Sequence, residues 1–407
     1  MIIRARNVVT MDGPPLENGA VAVEDNRIVA VGTMPDLQWV TDGPIIDLGE
    51  QTLMPGLINA HCHLDYTMMR GAISPPKSFA AWVQRINALK RSLDSEDYLD
   101  AIGRGFVELQ RWGTTSVCNI EAFPELMVHL APSPLRTWWF YEMIDIRHRV
   151  TTEDVVAGAL AFFQHRANSL DTFGLSPHAP YTASLDLYHL ANACASSFTM
   201  PLTTHVAESA EEFAMFRHAG GPLYDFMDSI RRPMGDCGST TPFAQLWRSG
   251  AVDAHWLLAH MNTLTEEDFM LLAEQPLAAG PHIVHCPGSH RYFSHPPFPY
   301  RRLHDLGANL CLGTDSLAST DSLSLFHEMR LLRETQPWLR PEQILRTVTV
   351  NPARALRRRG QLGRIAPGAL ADLIALPVSA TLGNVHEEII EHSAPVSWTM
   401  IDGQILP

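Results

Sequence analysis

The residues best suited to chemistry lie where apolar runs end. His61-Cys62-His63 closes a stretch that begins Leu53-Met54-Pro55-Gly56-Leu57-Ile58. Side chains alternate across a strand, so His61 and His63 face one way and Cys62 the other. Two imidazoles one residue apart can grip a divalent metal ion. Further along, a short run ends in His205, with Glu208 just beyond it. Leu257-Leu258-Ala259 ends in His260, and Gly313-Thr314 leads into Asp315. A lone histidine closing an apolar run is commonly a hydrogen-bonded core or rim residue. A lone aspartate after Gly-Thr is commonly a helix cap. Four imidazoles and one carboxylate at separate strand ends are better explained by one shared target.

Such convergence needs an architecture that gathers strand ends. The middle of the chain alternates apolar strand-type runs with amphipathic helical stretches. Strands are predicted over residues 53–63, 114–120, 137–142, 172–178, 202–206, 256–260, 282–286 and 309–313, and helices over 95–112, 185–196 and 266–273, among others. Ser95 followed by Glu96 and Asp97 is a sound helix start. Eight strands alternating with helices over roughly 300 residues predict an α/β fold, a (β/α)8 TIM-like barrel, whose catalytic groups sit at the carboxyl ends of the strands. The two ends of the chain look different. Residues 20–23 and 27–31 flank the hairpin signal Glu24-Asp25-Asn26, and 45–48, 372–376 and 398–401 are further short β-type runs. The predicted organisation is a small composite β-sandwich domain from residues 1–52 and 363–407, with the barrel at 53–362. Residues 220–241 hold many glycines and prolines and read as a lid or loop insertion. His255 lies five positions before His260 and should face the opposite way, among helices. Trp138-Trp139-Phe140-Tyr141 reads as strand core.

Together, Met54-Pro55-Gly56-Leu57-Ile58-Asn59-Ala60-His61-Cys62-His63, His205-Val206-Ala207-Glu208, His260, His285-Cys286-Pro287 and Leu312-Gly313-Thr314-Asp315-Ser316 resemble the amidohydrolase superfamily. The branch most resembled holds its deaminases and chlorohydrolases. The return segment from Gly363 to Leu373 matches as well. The resemblance implies His61, His63, His205 and Asp315 as ligands of one divalent metal ion, zinc most often and Fe2+ in some members. Three neutral imidazoles and a carboxylate suit such an ion and leave a position for water. Binuclear members bridge two metals with a modified lysine at the end of strand four. Here that strand ends Ser176-Pro177-His178, and neither Lys77 nor Lys90 is near a strand end in sequence.

The implied activity is hydrolytic deamination, with Glu208, His260 and Asp315 as catalytic groups. A metal-bound water is more acidic than free water. Asp315 can take its proton and His260 can orient it. Glu208 would shuttle a proton to a ring nitrogen, which requires a carboxyl kept neutral by burial. Its alternative role is a helix N-terminal carboxylate in the solvated run 208–212. His178-Ala179-Pro180-Tyr181 resembles members acting on adenosine-type nucleosides, with the histidine on the substrate, and Ser319 belongs to the same subgroup pattern. Where many relatives carry Ser-Asn after Cys286-Pro287, this chain has Ser289-His290 and then Arg291-Tyr292-Phe293-Ser294-His295. His290 and Arg291 could therefore line the pocket, or the segment could be a solvated loop with packed aromatics. Arg70, Arg147 and Arg291 are candidates for a substrate carboxylate. The expected substrate is an adenosine-type nucleoside or related purine. Guanine-type or s-triazine amino- or chlorohydrolysis is the alternative within the superfamily. A catalytically inactive scaffold of the same fold is opposed by the intact ligand and acid/base set.

Composition narrows the partners. The chain has 407 residues, 46% hydrophobic and 18% charged, with a formal charge of −14. That surface opposes nucleic acid or anionic membrane as a partner and leaves a small heterocyclic molecule. The start shows no signal-peptide core, and no run is long enough to span a bilayer. Six scattered cysteines without a CxxC pair read as reduced thiols in a cytoplasmic protein. The resemblance also allows a homodimer.

Overall fold

The computed structural model describes residues 1–146, 150–163, 169–274, 280–377 and 381–406. The chain opens with β1 (Ile2–Val8), β2 (Leu16–Glu24), β3 (Arg27–Thr33), β4 (Ile45–Asp47) and β5 (Thr52–Pro55). Next come β6 (Leu57–His63), β7 (Thr114–Glu121), β8 (Arg136–Met143), β9 (Asp171–Pro177), β10 (Leu202–Val206), β11 (Trp256–His260), β12 (His282–His285), β13 (Asn309–Leu312) and β14 (Asp315–Ser316). β15 (Leu373–Leu376), β16 (Trp398–Ile401) and β17 (Gln404–Ile405) come last. The chain forms two compact units. One holds Met1–Ala60, Phe106–Val117 and Leu323–Pro407; the other holds His61–Gly105 and Cys118–Ser322.

The first unit carries an eight-stranded sheet of order β17-β16-β15-β5-β1-β2-β3, with β4 on β1. The β2–β3 hairpin closes where the charged turn predicts it, with Glu24 opposite Arg27. β15 runs antiparallel to β5, pairing Ala375 with Leu53, so both ends of the chain share one sheet. Ile3, Val21, Ile28, Leu53, Ile365, Leu373 and Met400 are buried together in one core. The predicted first barrel strand is in fact two strands, split at Gly56. A Cβ there would lie 2.1 Å from Thr115 Oγ1, so only glycine lets the chain pass. The Gly56 amide donates to Asp372 O and the next amide, Leu57, to Gly113 O, which switches the chain from one sheet to the other.

The second sheet has nine strands in the order β13-β12-β11-β10-β9-β8-β7-β6-β14. Its neighbours pair in parallel, as in Val206 opposite His260 and Val284 opposite Cys311. β13 and β14 are consecutive in the chain, separated only by Gly313-Thr314, and β14 pairs with β6. The last strand therefore returns to the first, which is barrel closure. Every residue of β6, β7, β10, β11, β12 and β13 is buried. Parallel strands covered on both faces tend to read as apolar runs, as Trp256–Ala259 of β11 does, whereas β7 buries Thr114, Thr115, Ser116, Asn119 and Glu121. Trp138, Trp139 and Phe140 are fully buried, as strand-core residues should be.

Two expectations need correction. Residues 220–241 are not simply loop: Pro222–Ser229 is a helix with proline at its start and Leu223 and Met227 buried. Beyond it Arg232, 5% exposed, donates to the Pro180 and Tyr181 carbonyls and forms a two-pronged ion pair with Asp236. It fastens the segment to the loop after β9. His255 is exposed instead of packed among helices, because it precedes β11 in an exposed turn capped by Asp253.

Candidate active site

The carboxyl ends of the barrel strands bring His61, His63, His205, His260 and Asp315 together, all within the second unit. Donor atoms of His61, His205 and His260 lie within 4.8 Å of one another, as do those of His61, His63 and Asp315. His63 Nε2 faces His205 Nε2 at 3.2 Å, and Asp315 Oδ1 is 3.7 Å from His61 Nε2 and 3.8 Å from His63 Nε2. All five residues are at most 7% exposed. Buried ring nitrogens aimed at each other without protons to share are the donor set of a cation.

Local structure fixes each donor. His205 Nδ1 donates to the His178 carbonyl at 2.8 Å, which leaves its Nε2 lone pair facing the cluster. Asp315 is held by the Ser316 amide at 2.8 Å and by Ser319 Oγ at 3.0 Å, itself backed by Ser289 Oγ. Ser319 is thus seated against Asp315. His260 and Asp315 have positive φ, 74° and 58°, as do Ala207 (52°) and Met261 (53°). Non-glycine residues avoid this region, at a cost of about 1–3 kcal/mol each, and such strain collects at functional sites.

The electrostatics suit metal binding. Burial pushes His63 well below the ordinary imidazole range, helped by the His61 and His205 charges. Burial and His61 push His205 down to about 4. His260 is lowered well below its usual value by burial as well. Neutral imidazoles are the form that binds a metal. Burial alone would raise Asp315, but the His61 hydrogen bond and the His260, His61 and His63 charges hold it well below the carboxylate range. Glu208 goes the other way. It is 6% exposed, its Oε1 lies 3.7 Å from His260 Nε2, and burial with the Asp315 and Glu212 charges raises it well above a normal carboxyl. Its backbone is fixed: the Glu208 amide donates to Glu212 Oε2 at 2.7 Å, and its carbonyl accepts from Asn262 at 3.0 Å. Glu208 therefore lies inside, and the helix beyond is capped by Ser209 instead.

His178 is half-buried beside the cluster, with Nδ1 paired to Thr182 Oγ1 at 2.6 Å and Nε2 3.9 Å from Glu142 Oε1. His290 donates from Nε2 to the Pro296 carbonyl and packs against His285 and His295. Arg291 and Arg70 are exposed, and Arg147 lies outside the described residues. Lys90, remote in sequence from any strand end, donates to Tyr66 Oη at 2.6 Å, three residues past His63. Three buried carboxyls nearby escaped the sequence reading: Asp65 just after β6, Glu121 ending β7, and Glu142 near the end of β8. Each sits at a strand end, which is the one signal that could have marked them.

A closed parallel barrel with histidine and aspartate donors converging at its carboxyl face defines a hydrolase of the (β/α)8 type. More specifically, the chain belongs to the amidohydrolase family, whose profile matches residues 52–406. It acts hydrolytically on C–N bonds. It is 31% identical to a 5-methylthioadenosine/S-adenosylhomocysteine deaminase of Pyrococcus furiosus over 92% of this chain and 85% of that protein. Among solved structures it resembles a zinc-bound adenosine deaminase from Xanthomonas campestris, with TM-score 0.82 and 27% identity over 99% of this chain and 92% of that one. Aminofutalosine deaminase of Helicobacter pylori shares the fold at TM-score 0.86 and 22% identity, each chain covered completely.

Proposed function

We propose that the chain is a hydrolytic deaminase of adenosine-type nucleosides that works with one divalent ion, zinc, held by His61, His63, His205 and Asp315. The carrying observation is the buried cluster itself: four imidazoles and Asp315 converge, with a neutral-leaning Glu208 beside His260. The deaminase relatives, one at 31% identity and one zinc-bound structure at 27%, support the same reading. When bound, the ion supplies Lewis-acid activation of water at neutral pH. The chain's residues do the rest. Asp315 takes the proton released as water attacks the ring carbon bearing the amine. His260, oriented from β11, holds the attacking oxygen in line. Glu208, protonated at rest, gives its proton to the adjacent ring nitrogen during attack. Left as a carboxylate, it takes the proton of the new ring hydroxyl as the carbonyl forms, while the proton held by Asp315 passes to the departing amine, whose C–N bond breaks to release ammonia. His178 contacts the heterocycle from the end of β9.

The test is ammonia release, with the accompanying ultraviolet change, from a panel of aminopurine nucleosides, guanine and s-triazines with zinc supplied. Turnover of adenosine or a 5′-substituted adenosine is expected. Silence on every aminopurine nucleoside with activity on guanine or chlorotriazines would overturn the assignment.

A further inference from the structure

The wall of the site on the β6–β8 side is acidic where a carboxylate-reading enzyme would need cations. Glu142 projects from near the end of β8, its side chain 8% exposed. Its carboxylate makes no hydrogen bond among the described residues; its polar neighbour is His178 Nε2 at 3.9 Å. The His178 ring centroid lies 4.9 Å from that of His205, which places Glu142 beside the metal-type cluster. Nearby, Asp65 and Glu121 are both fully buried, and the Ala122 amide is the backbone donor directed at Asp65. Glu121 is satisfied locally by the Phe123 amide and Asn119. Among the described residues, the cation that reaches this group is Lys90, which moderates Asp65 and Glu142 while bonded to Tyr66. Among the described residues, three carboxyls stand against this one ammonium. Burial, first of all, raises all three above the ordinary carboxyl range. A donor brought against Glu142 would therefore satisfy an oxygen the fold leaves open.

We infer that Glu142 sets specificity at this site: it accepts hydrogen bonds from the hydroxyl or amine groups on the sugar end of the nucleoside and turns away substrates carrying a carboxylate there. This rests on the deaminase reading above. Glu208 and His260 occupy the β10–β11 side of the cluster, where the reacting edge of the ring must sit. The remainder of the substrate then extends toward His178 and Glu142. A carboxylate placed there would lose its water against further carboxyls, with Lys90 as the one cation near the group among the described residues, and burying a charge so poorly paired is heavily penalised. Of the arginines anticipated for carboxylate recognition, Arg70 and Arg291 are exposed.

The experiment compares kcat/KM for adenosine, 5′-methylthioadenosine and 5′-amino-5′-deoxyadenosine with that for adenosine-5′-carboxylic acid, in the zinc-loaded enzyme and in Glu142→Gln. The expected wild-type result is a carboxylate substrate poorer than the uncharged ones by about tenfold or more, carried by KM. Glu142→Gln, whose amide can donate to a carboxylate, should narrow that ratio by about tenfold and raise KM for 5′-methylthioadenosine. A wild-type enzyme that handles the carboxylate as well as 5′-methylthioadenosine overturns the inference, whether or not the variant folds. So does a folded Glu142→Gln with an unchanged ratio. Loss of turnover on every nucleoside would instead overturn the deaminase reading, and the inference would fall with it.

Discussion

Replacing Glu208 by glutamine isolates proton transfer from everything else the site does. The carboxyl is 6% exposed and pushed toward its neutral form, so glutamine replaces a group of the same shape and nearly the same charge. Its backbone would stay where Glu212 and Asn262 hold it, by bonds of 2.7 and 3.0 Å that do not involve the side chain. Glu208 belongs to neither three-residue donor group, so metal content should be unchanged. Thermal stability should hold or rise slightly, because a buried ionisable group is removed. What is lost is a proton that can move. General acid–base catalysis contributes about 10²–10⁴-fold, so roughly 3–5 kcal/mol of barrier should return. The assay is single-turnover ammonia release from 5′-methylthioadenosine or adenosine, paired with metal analysis and a melting curve. A variant with intact zinc and kcat within about tenfold of wild type would refute the shuttle role.

Two further predictions follow from packing and titration. In Gly313→Ala the new Cβ would lie 2.7 Å from both Cβ and O of His61, too close for any real contact. β6 must yield, with about 1–3 kcal/mol of lost stability and zinc affinity weakened about 10–100-fold, read by competition with a chelator; unchanged affinity would contradict the packing argument. For the zinc-free protein, burial brings His205 down to about 4 when folded, against 6.5 for a free imidazole side chain. The unfolded chain therefore binds the proton first, and stability present above pH 6.5 is lost as pH falls toward 4. His205 alone contributes roughly 3 kcal/mol of that loss. Urea unfolding across this range should show the decline, and a flat profile would contradict it.

The barrel was legible because parallel strands buried on both faces favour apolar residues, so runs such as Leu257-Leu258-Ala259 betray themselves and their terminal histidines stand out. The terminal sheet was legible from turn chemistry at Glu24–Asn26. The helix Pro222–Ser229 was obscured by the glycines and prolines around it, although Leu223, Phe226 and Met227 carry helical spacing. The acidic wall was harder. Asp65, Glu121 and Glu142 follow ordinary apolar runs, and nothing in a linear pattern says that Lys90 returns to meet them. The positive φ at His260 and Asp315 is likewise a product of tertiary packing, carried by residues that show no turn signature.

The central claim is that His61, His63, His205 and Asp315 hold one ion on which turnover depends. Titrating metal-stripped protein with zinc while following ammonia release from 5′-methylthioadenosine or adenosine measures it directly. Activity should be absent at the start and should rise to a plateau at about one equivalent per chain. Full activity without added metal, or a plateau only at about two equivalents, would contradict the account.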